Sequence, residues 1–285
     1  MSVVIFGRSG QLAREIARAA PGAVCLGREA ADLSDPAAPA RAIDDHAPRA
    51  VINAAAFTDV DGAESAEDAA MRLNADAPGA IARACAARAI PFVHVSTDYV
   101  FDGSGTRPWQ PDDAPAPLGA YGRSKLAGER AVAAAGGAYA ILRTAWVVSA
   151  HGKNFVTTML RLGAERERLT VVADQVGGPT PAADLARACL TVAGALAVEP
   201  RLAGTYHYSG APEVSWADFA RAIIAGAGLP ARVADIATAD WPTPAARPLN
   251  SRLDCSATGA AFGLARPDWR SGLDAILDEL GATAQ

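Results

Sequence analysis

A chain of 285 residues, 51% of them hydrophobic, is long enough for one large α/β domain with a small appendage and is too apolar for a disordered protein. Its net charge of −5 and the lack of any basic run make nucleic acid a poor partner. No basic leader precedes the first apolar segment, and no apolar segment is long enough to cross a bilayer, so we expect a cytoplasmic protein without membrane contact.

The thiol and imidazole side chains follow no pattern typical of a disulfide framework or a metal site. Cys-x-x-Cys is absent and the histidines are scattered, so we expect reduced thiols and no zinc site. The residues concerned are Cys25, Cys85, Cys189, Cys255, His46, His94, His151 and His207.

The chain begins with a dinucleotide-binding pattern. Residues 2–6 form a short apolar run that predicts a buried parallel strand, and a glycine turn leads from it into a predicted helix that ends near Ala20. Gly7 and Gly10 would let the backbone approach a pyrophosphate, which the amides of a helix N-terminus bind. Ala13 takes the third glycine position, where a small side chain suffices, although such a loop alone is also compatible with a plain turn.

The second predicted strand, residues 23–26, bears on the choice of cofactor. NAD enzymes often carry an acidic residue here for the ribose hydroxyls, whereas this chain has a glycine followed by Arg28. Arg28, together with Arg8, could bind a 2′-phosphate, which favours NADPH over NADH; a solvated surface charge is the alternative. The next segment, Asp32-Leu33, is expected to border the adenine.

Small and polar residues follow the next two predicted strands. Residues 50–53 lead into an alanine triplet, where small side chains would let a cofactor lie against the backbone; tight packing is the alternative. Residues 91–96 lead into Thr97, which could hydrogen-bond a substrate carbonyl because open parallel sheets bind ligands at the carboxyl ends of their strands. Around these strands we predict helices at 37–46 and 63–89.

Tyr121 and Lys125 form the pattern most directly connected with chemistry. They stand four residues apart at the start of a predicted helix, which brings both side chains to one face, roughly 6 Å apart along the axis. An ammonium next to a phenol stabilises the phenolate, so we expect the pKa of Tyr121 to fall from about 10 toward neutrality. Such a phenol is a usable proton donor. Because this spacing also arises by chance, the surrounding motifs must support it.

The second half of the chain predicts a smaller lobe around returning strands of the sheet. We predict strands at 138–144, 169–173 and 204–208, and helices at 153–164, 182–196 and 215–227. Ser215 is expected to cap the last of these helices. A proline-rich loop then delivers Arg247 and Arg252, whose guanidinium groups suit a diphosphate but are equally common in surface salt bridges.

The predicted fold class is therefore α/β, a doubly wound parallel sheet of the Rossmann type with a smaller C-terminal α/β substrate lobe. We expect a dinucleotide-binding domain at residues 1–150, with returning segments at about 178–212, and a substrate-binding lobe formed by residues 151–177 and 213–285. No internal repeat and no low-complexity linker interrupts the chain.

Together these motifs resemble the extended short-chain dehydrogenase/reductase superfamily and, within it, the dTDP-4-dehydrorhamnose reductase family. The resemblance extends in order through nearly the whole chain, which makes it more specific than any single motif. The segments that carry it are residues 7–13, 53–56, 96–101, 121–125, 143–147, 154–155, 174–175, 178–180 and 247–253.

The resemblance implies a role for each matching residue. Tyr121 would donate the proton, and Lys125 would bind the nicotinamide ribose and lower the pKa of the tyrosine. Thr97 and Asp98 would contact the sugar and help tune Tyr121, while Trp146 would pack on the sugar. The residues implied on the cofactor side are Gly7, Gly10, Gln11, Leu12, Asp32, Leu33, Ala54, Ala55 and Ala56, and those that shape the substrate side are Asn154 and Phe155.

The chain departs from the family pattern at three places. Ala13 replaces the third glycine, and Val148 stands where an aromatic residue is usual. Ala183 stands where some relatives carry a glutamate associated with a Mg²⁺-linked dimer, although Glu15 is present. The need for Mg²⁺ and the choice between monomer and homodimer therefore stay open.

The resemblance implies an enzyme that uses NADPH, or NADH, to reduce the C4 keto group of dTDP-4-dehydro-L-rhamnose to dTDP-L-rhamnose. Two alternatives stay open. A nucleotide-sugar epimerase or dehydratase of the same superfamily would need more acid–base groups than the single proton donor found in the sequence. A non-catalytic, cofactor-binding subunit, similar to the regulatory subunit of methionine adenosyltransferase, would share the fold.

Overall fold

The computed structural model describes residues 2–283, and a six-stranded sheet lies at its centre. The strands are, in chain order, β1 Val3–Phe6, β2 Val24–Leu26, β3 Ala50–Asn53, β4 Phe92–Thr97, β5 Tyr139–Thr144, β6 Val147–Val148, β7 Arg168–Val172, β8 Val176–Gly177, β9 Thr180–Pro181, β10 Gly204–His207, β11 Val214–Ser215, β12 Arg232–Ile236 and β13 Asn250–Ser251. The helices are α1 Gln11–Ala19, α2 Ala38–His46, α3 Glu67–Met71, α4 Ala77–Ala86, α5 Ala120–Ala135, α6 Phe155–Glu165, α7 Ala182–Val198, α8 Trp216–Gly226, α9 Ser256–Phe262 and α10 Trp269–Glu279.

The central sheet is wholly parallel and has the strand order β10-β5-β4-β3-β1-β2. From β1 the chain runs first to β2 on one side and later to β3 on the other, so the strand order reverses between β1 and β3. Open parallel sheets bind ligands outside the carboxyl ends of the strands at such a reversal. The topology therefore directs attention to the space beyond Phe6 and Asn53, the last residues of β1 and β3.

Helices cover both faces of the sheet because side chains alternate along each strand. Val3 and Ile5 of β1 pack into one apolar core with residues of α1 and α7, whereas Val4 and Phe6 pack into another with residues of α2 and α4. Since both faces are buried, the strands are nearly continuous apolar runs. The predicted doubly wound α/β fold is confirmed.

A further apolar core lies in the C-terminal half of the chain. It is formed by side chains of α6, α8 and α10 together with the two-stranded sheet of β7 and β12. Ser215 caps α8 by accepting the amide of Asp218 at 3.0 Å, as its place in the sequence predicts. The separate core supports the expected substrate lobe, whose limits stay a prediction.

The prediction of one continuous helix at 63–89 is wrong. A 3₁₀ turn at Gly62–Glu64, α3, a π-helical turn at Arg72–Asp76 and α4 take its place. Pro78 explains the interruption, because it has no N–H to donate to the carbonyl of Asn74 and its ring would strike that carbonyl in an α-helix. The π turn widens the backbone at this point and removes the conflict.

The π turn also positions α5, the helix that carries the Tyr–Lys pair. The Asn74 side chain accepts the amide of Phe57 at 2.8 Å and donates to Ser124 Oγ of α5 at 3.0 Å. The Asn74 carbonyl lies so close to Gly128 of α5 that a Cβ at Gly128 would overlap it. The place of α5 therefore depends on a polar contact and on the lack of a side chain at one glycine.

No helix within residues 2–283 is long and apolar enough to span a membrane. In the same part of the chain, no three His, Cys, Asp or Glu side chains are grouped so that they could hold a metal ion. The four cysteines are free thiols; Cys25 is partly exposed, and the other three are buried.

Gly128→Ala is expected to destabilise the protein by about 1–3 kcal/mol, because the new methyl group would meet the Asn74 carbonyl and displace α5. Gly194→Ala in α7 is the matched control. A Cβ at Gly194 has open space around it, so we expect a gain of roughly 0.5–1 kcal/mol from the higher helix propensity of alanine. Urea unfolding measures both changes, and a Gly128 variant as stable as the wild type would contradict the close approach.

Candidate active site

Two adjoining cavities, of about 790 and 550 Å³, open at the carboxyl ends of the central strands. They share Ser9, Gly10, the alanine triplet at residues 54–56 and Thr58. The larger one extends over Leu26 at the end of β2 and is called the β2 cavity; the other extends over residues 95–99 at the end of β4 and is called the β4 cavity. Both lie beyond the carboxyl ends of the strands, next to the point where the strand order reverses.

The structure brings most of the predicted site residues to these cavities. The β2 cavity is lined by Gly7, Gly10, Arg28, Asp32, Leu33, Ala54, Ala55 and Ala56. The β4 cavity is lined by Gln11, Leu12, Thr97, Asp98, Tyr121, Lys125 and Trp146. The sequence interpretation missed Ser9, Thr58, Val60, Thr144, Lys153, Leu185 and Trp216, which also line one or both of them.

The loop between β1 and α1 fits a dinucleotide. Gly7 has a φ of +121°, which L side chains rarely adopt, and a Cβ at Gly7 would lie only 3.2 Å from the backbone of Ala54 and Ala55. Gly10 immediately precedes α1, and no side chain caps the first turn of that helix. The amides of this turn are therefore available to the negative charge of a diphosphate.

The β2 cavity differs from its prediction. We expected no acidic side chain at the end of β2, but the Glu29 carboxylate folds back over Gly27, where a Cβ would overlap it. Glu29 also accepts a 2.5 Å hydrogen bond from Arg8. Arg28 contacts Asp32 at 3.3 Å. Each of the two arginines expected to bind a phosphate is thus paired with a carboxylate.

Lys125 is buried beside the β4 cavity, with an exposure of 2%. Its Nζ donates a 2.8 Å hydrogen bond to the carbonyl of Val95. Burial lowers the pKa of this ammonium to about 8, and the Glu129 carboxylate only partly opposes the shift. The cation is therefore held in one place and is still mostly protonated at neutral pH.

Tyr121 has a raised pKa, so the expected fall toward neutrality is wrong for this structure. Burial raises the pKa of Tyr121 to about 12, a hydrogen bond with Thr97 opposes the rise, and the charge of Asp98 adds to it. The four-residue spacing to Lys125 does not reveal the loss of water around the phenol, and this loss has the largest effect on the pKa of Tyr121. The phenol consequently carries its proton at neutral pH.

Thr97 and Asp98 join the end of β4 to Tyr121. Thr97 Oγ1 donates to Asp98 Oδ1 at 3.1 Å and accepts the amide of Tyr99 at 3.2 Å. Burial raises the pKa of Asp98 to about 6, although hydrogen bonds with Ser251 and Thr97 oppose the rise. The rings of Tyr99 and Tyr121 pack edge to face with centroids 5.6 Å apart. A hydroxyl, a carboxyl and a phenol therefore stand together at the β4 cavity.

Trp146 and Trp216 form the aromatic wall of the β4 cavity. Their indole rings stack with centroids 3.6 Å apart, and Phe155 packs against Trp216 at 4.4 Å. Trp146 has a φ of +51°, a left-handed conformation that a bulky residue keeps only where its surroundings hold it. The sequence interpretation missed Trp216, although an aromatic residue directly after the Ser215 cap was a visible signal.

Four residues predicted on the substrate side do not line either cavity in the described chain. Asn154 caps α6, and Phe155 packs against the aromatic wall. Arg247 and Arg252 each donate to a neighbouring side-chain oxygen, at 2.8 and 3.0 Å respectively. Their contact with a substrate stays a prediction.

Glu15, the residue connected with Mg²⁺, lies outside both cavities. Its buried carboxylate contacts Arg18 at 2.7 Å and His151 at 3.2 Å. Ala183 lines a small cavity next to Glu15 and contributes no ligand atom from its side chain. Within residues 2–283 the Glu15 carboxylate is therefore paired with the side chains of Arg18 and His151.

Comparison with known proteins decides the family. A family model described as the RmlD substrate binding domain matches residues 1–282. The chain belongs to the RmlD family. A dTDP-4-dehydrorhamnose reductase of Sinorhizobium fredii is 42% identical over 278 residues, with 94% of each protein covered. A reductase of the same name from Burkholderia thailandensis is 44% identical over 285 residues, with 95% of this chain and 96% of that protein covered.

Solved structures agree with this RmlD assignment, which confirms the resemblance seen in the sequence. A dTDP-4-dehydrorhamnose reductase from Clostridium acetobutylicum is 36% identical with a TM-score of 0.93, covering 99% of this chain and 100% of that one. The reductase from Bacillus anthracis, in complex with NADP, is 34% identical with a TM-score of 0.90, covering 98% and 99%. A UDP-glucose 4-epimerase from Brucella ovis, 19% identical with a TM-score of 0.80, shares the fold alone.

Lys125→Met is expected to raise the free energy of unfolding of the cofactor-free protein by roughly 2–3 kcal/mol at pH 7, because it removes a buried charge. The pKa of Lys125 is about 8 in the folded protein and 10.5 without burial. Below pH 8 the wild type therefore carries the full free-energy cost of burying the charged Lys125 side chain, and it loses this cost as the pH rises toward 10.5. Urea unfolding at pH 7 and pH 10 measures the difference in stability between the variant and the wild type, which should be smaller at pH 10. An equal difference at both pH values would contradict the lowered pKa of Lys125.

Proposed function

We propose that this RmlD-family chain reduces the C4 keto group of dTDP-4-dehydro-L-rhamnose to give dTDP-L-rhamnose, with NADPH or NADH as the reductant. The product would supply the synthesis of cell-surface polysaccharide. The observation that carries the proposal is that Tyr121, Lys125 and Thr97 line one cavity, which adjoins the glycine loop. Relatives 42–44% identical over nearly the whole chain, which bear the name of this reductase, support the choice of substrate.

The residues around the glycine loop fit the cofactor. Gly10 and the amides that follow it would hold the diphosphate, the alanine triplet leaves room beside the backbone, and Lys125 would bind the nicotinamide ribose. When bound, NAD(P)H supplies a hydride. The chain's own residues have to orient the ketone and provide the proton.

Tyr121 holds the proton that the reaction consumes. Because its pKa is about 12, the phenol is protonated at neutral pH and donates from Oη to the ketone oxygen as negative charge develops there. Thr97 would donate a second hydrogen bond to the same oxygen after its hydroxyl turns away from Asp98, to which it donates in the structure. The ammonium of Lys125 stabilises the phenolate that remains, and water returns the proton to it.

The aromatic wall and the end of β4 suit different parts of a deoxyhexose. The indole of Trp146 presents an apolar face to C–H groups of the sugar, whereas Thr97 and Asp98 offer polar partners for its hydroxyl groups. Because Trp216 stacks on Trp146, it positions the indole that faces the sugar.

The alternative activities, those of a dehydratase or an epimerase, need acid–base side chains that this site does not have within residues 2–283. A dehydratase of the superfamily uses a further acid after the threonine and aspartate, where this chain has Tyr99. Incubation with a dTDP-4-keto-6-deoxyhexose and NADPH separates the readings. Oxidation of NADPH in step with formation of the reduced sugar supports the reductase. Isomerised sugar without NADPH consumption supports an epimerase, formation of this keto sugar from a dTDP-hexose supports a dehydratase, and NADPH binding without turnover of either sugar supports a regulatory subunit.

We further propose that the protein acts in the cytoplasm, as a monomer or a homodimer. Four free thiols suit a reducing compartment.

Tyr121→Phe is expected to lower kcat about a hundredfold or more, the usual contribution of general acid catalysis, while the Kd for NADPH stays unchanged. Tyr139→Phe in β5 is the control, because Tyr139 is partly buried, packs against an apolar core and lines neither cavity. Steady-state kinetics and a cofactor titration give both values. Turnover close to that of the wild type in the Tyr121 variant would remove this tyrosine from the mechanism.

Trp216→Ala is expected to raise the KM for the nucleotide sugar about fivefold to tenfold, because Trp146 loses a stacking partner that contributes roughly 1 kcal/mol. The Kd for NADPH should stay within about twofold of the wild type. Trp241→Ala, at a 55% exposed residue outside both cavities, is the matched control. An unchanged KM in the Trp216 variant would show that Trp146 keeps its position alone.

A further inference from the structure

The turn between β6 and α6, at residues 149–153, lies against the beginning of α1. Ser149 Oγ donates a 2.8 Å hydrogen bond to Gln11 Oε1, and His151 Nε2 lies 3.2 Å from Glu15 Oε1. Gln11 and Glu15 stand four residues apart in α1, so both contacts lie on one face of the helix. The turn therefore runs beside the end of α1 that follows the glycine loop.

Hydrogen bonds within the turn hold it in one shape. Ser149 is 2% exposed, and its Oγ accepts the amide of His151 at 3.0 Å. Asn154 Nδ2 donates to the carbonyl of Ser149 at 2.8 Å. Gly152 has a φ of +66°, a conformation that L side chains rarely adopt. The turn is thus a fixed support for the next residue, Lys153.

Lys153 brings an exposed ammonium to the β4 cavity, which it lines together with Gly10 and Gln11. Within residues 2–283, Lys125 is the only other cation that lines this cavity, and its Nζ already donates to the carbonyl of Val95. None of the ion pairs formed in the same part of the chain includes Lys153. Its charge is therefore available to an anionic ligand.

A diphosphate is the anion that suits this arrangement. The first amides of α1 have no side-chain cap, so they present partial positive charge beside Gly10. The cation of the glycine loop itself, Arg8, is paired with Glu29. A full positive charge near the diphosphate must therefore come from another segment, and the long, flexible side chain of Lys153 can supply it.

We propose that Lys153 binds the diphosphate of the nicotinamide cofactor and that the turn at residues 149–153 positions it there. The amides at the start of α1 bind the diphosphate, and the ammonium neutralises charge that those amides leave. The nucleotide sugar also carries a diphosphate, but the turn is fastened to α1, so the geometry favours the cofactor. This inference rests on the proposed use of NAD(P)H, and it adds a ligand from outside the glycine loop.

The test is a calorimetric titration of the purified protein with NADPH, without sugar, at two salt concentrations. Lys153→Met keeps a long, unbranched side chain and removes its charge. We expect the Kd for NADPH to rise about tenfold in about 0.02 M NaCl and only about twofold in about 0.5 M NaCl, because ions screen an exposed charge. Lys153→Arg keeps the charge and should bind NADPH within about twofold of the wild type.

Two further ligands and a control variant make the assignment specific. ADP-ribose has the diphosphate without the nicotinamide, and Lys153→Met should weaken its binding by the same factor. The nucleotide dTDP carries the diphosphate of the sugar substrate and should bind the variant and the wild type equally. Arg232→Met removes an exposed cation of β12 that lines neither cavity, and it should leave every Kd unchanged.

The proposal is overturned if Lys153→Met leaves the Kd for NADPH unchanged, or if it changes this Kd equally at both salt concentrations. It is also overturned if Lys153→Met weakens dTDP but not ADP-ribose, because the ammonium would then bind the sugar nucleotide.

A double variant tests the role of the turn. Ser149→Ala removes the hydrogen bond to Gln11 and should loosen the turn. In that background Lys153→Met should raise the Kd for NADPH by a smaller factor, because the ammonium is no longer held in place. Equal factors in the two backgrounds would contradict the positioning by the turn.

The titrations are independent of the sugar reaction. If the protein failed to reduce the keto sugar but lost NADPH affinity in the Lys153→Met variant as described, the inference would stand and the proposed function would fall. If it reduced the sugar and the variant bound NADPH as tightly as the wild type, the inference would fall and the proposed function would stand.

Discussion

The buried ammonium of Lys125 is the constraint on which the candidate site depends. Removing a cation from water costs free energy, and the lowered pKa shows that one hydrogen bond to the Val95 carbonyl does not offset that cost. Under the proposed mechanism the same isolation would make the charge effective, because little water is present to weaken its field. In the proposed reduction, the protein thus keeps a locally unfavourable group next to the point where negative charge would develop.

The position of the Lys125 ammonium depends partly on contacts that lie away from the cavity. Lys125 reaches Val95 only if α5 lies at the right distance from β4, and α5 rests on the π turn around Asn74. Gly128 permits this contact because it has no side chain, and Pro78 makes the π turn necessary. A small irregularity in a neighbouring helix therefore sets the geometry of a site to which it contributes few lining residues.

Sequence reasoning succeeded where the decisive pattern is local. Apolar runs located the strands, glycines located the turn between β1 and α1, and four-residue spacing located the Tyr–Lys pair. It failed where segments distant in the sequence meet. Nothing in the sequence pairs Trp216 with Trp146, and no spacing rule shows that the Glu29 side chain turns back over the preceding glycine. The pKa of Tyr121 was misjudged because its direction depends on how much water the whole fold removes from the phenol.

The sheet is completed late in the sequence. β10 pairs with β5 from Gly204 opposite Ala140 to His207 opposite Arg143, so β5 has a bare edge until the ribosome has added this segment. An unpaired strand edge is a template for pairing with other chains. A fragment that stopped near residue 150 would keep that edge open, and we expect it to aggregate. We therefore expect that the N-terminal half cannot be cut out and used by itself.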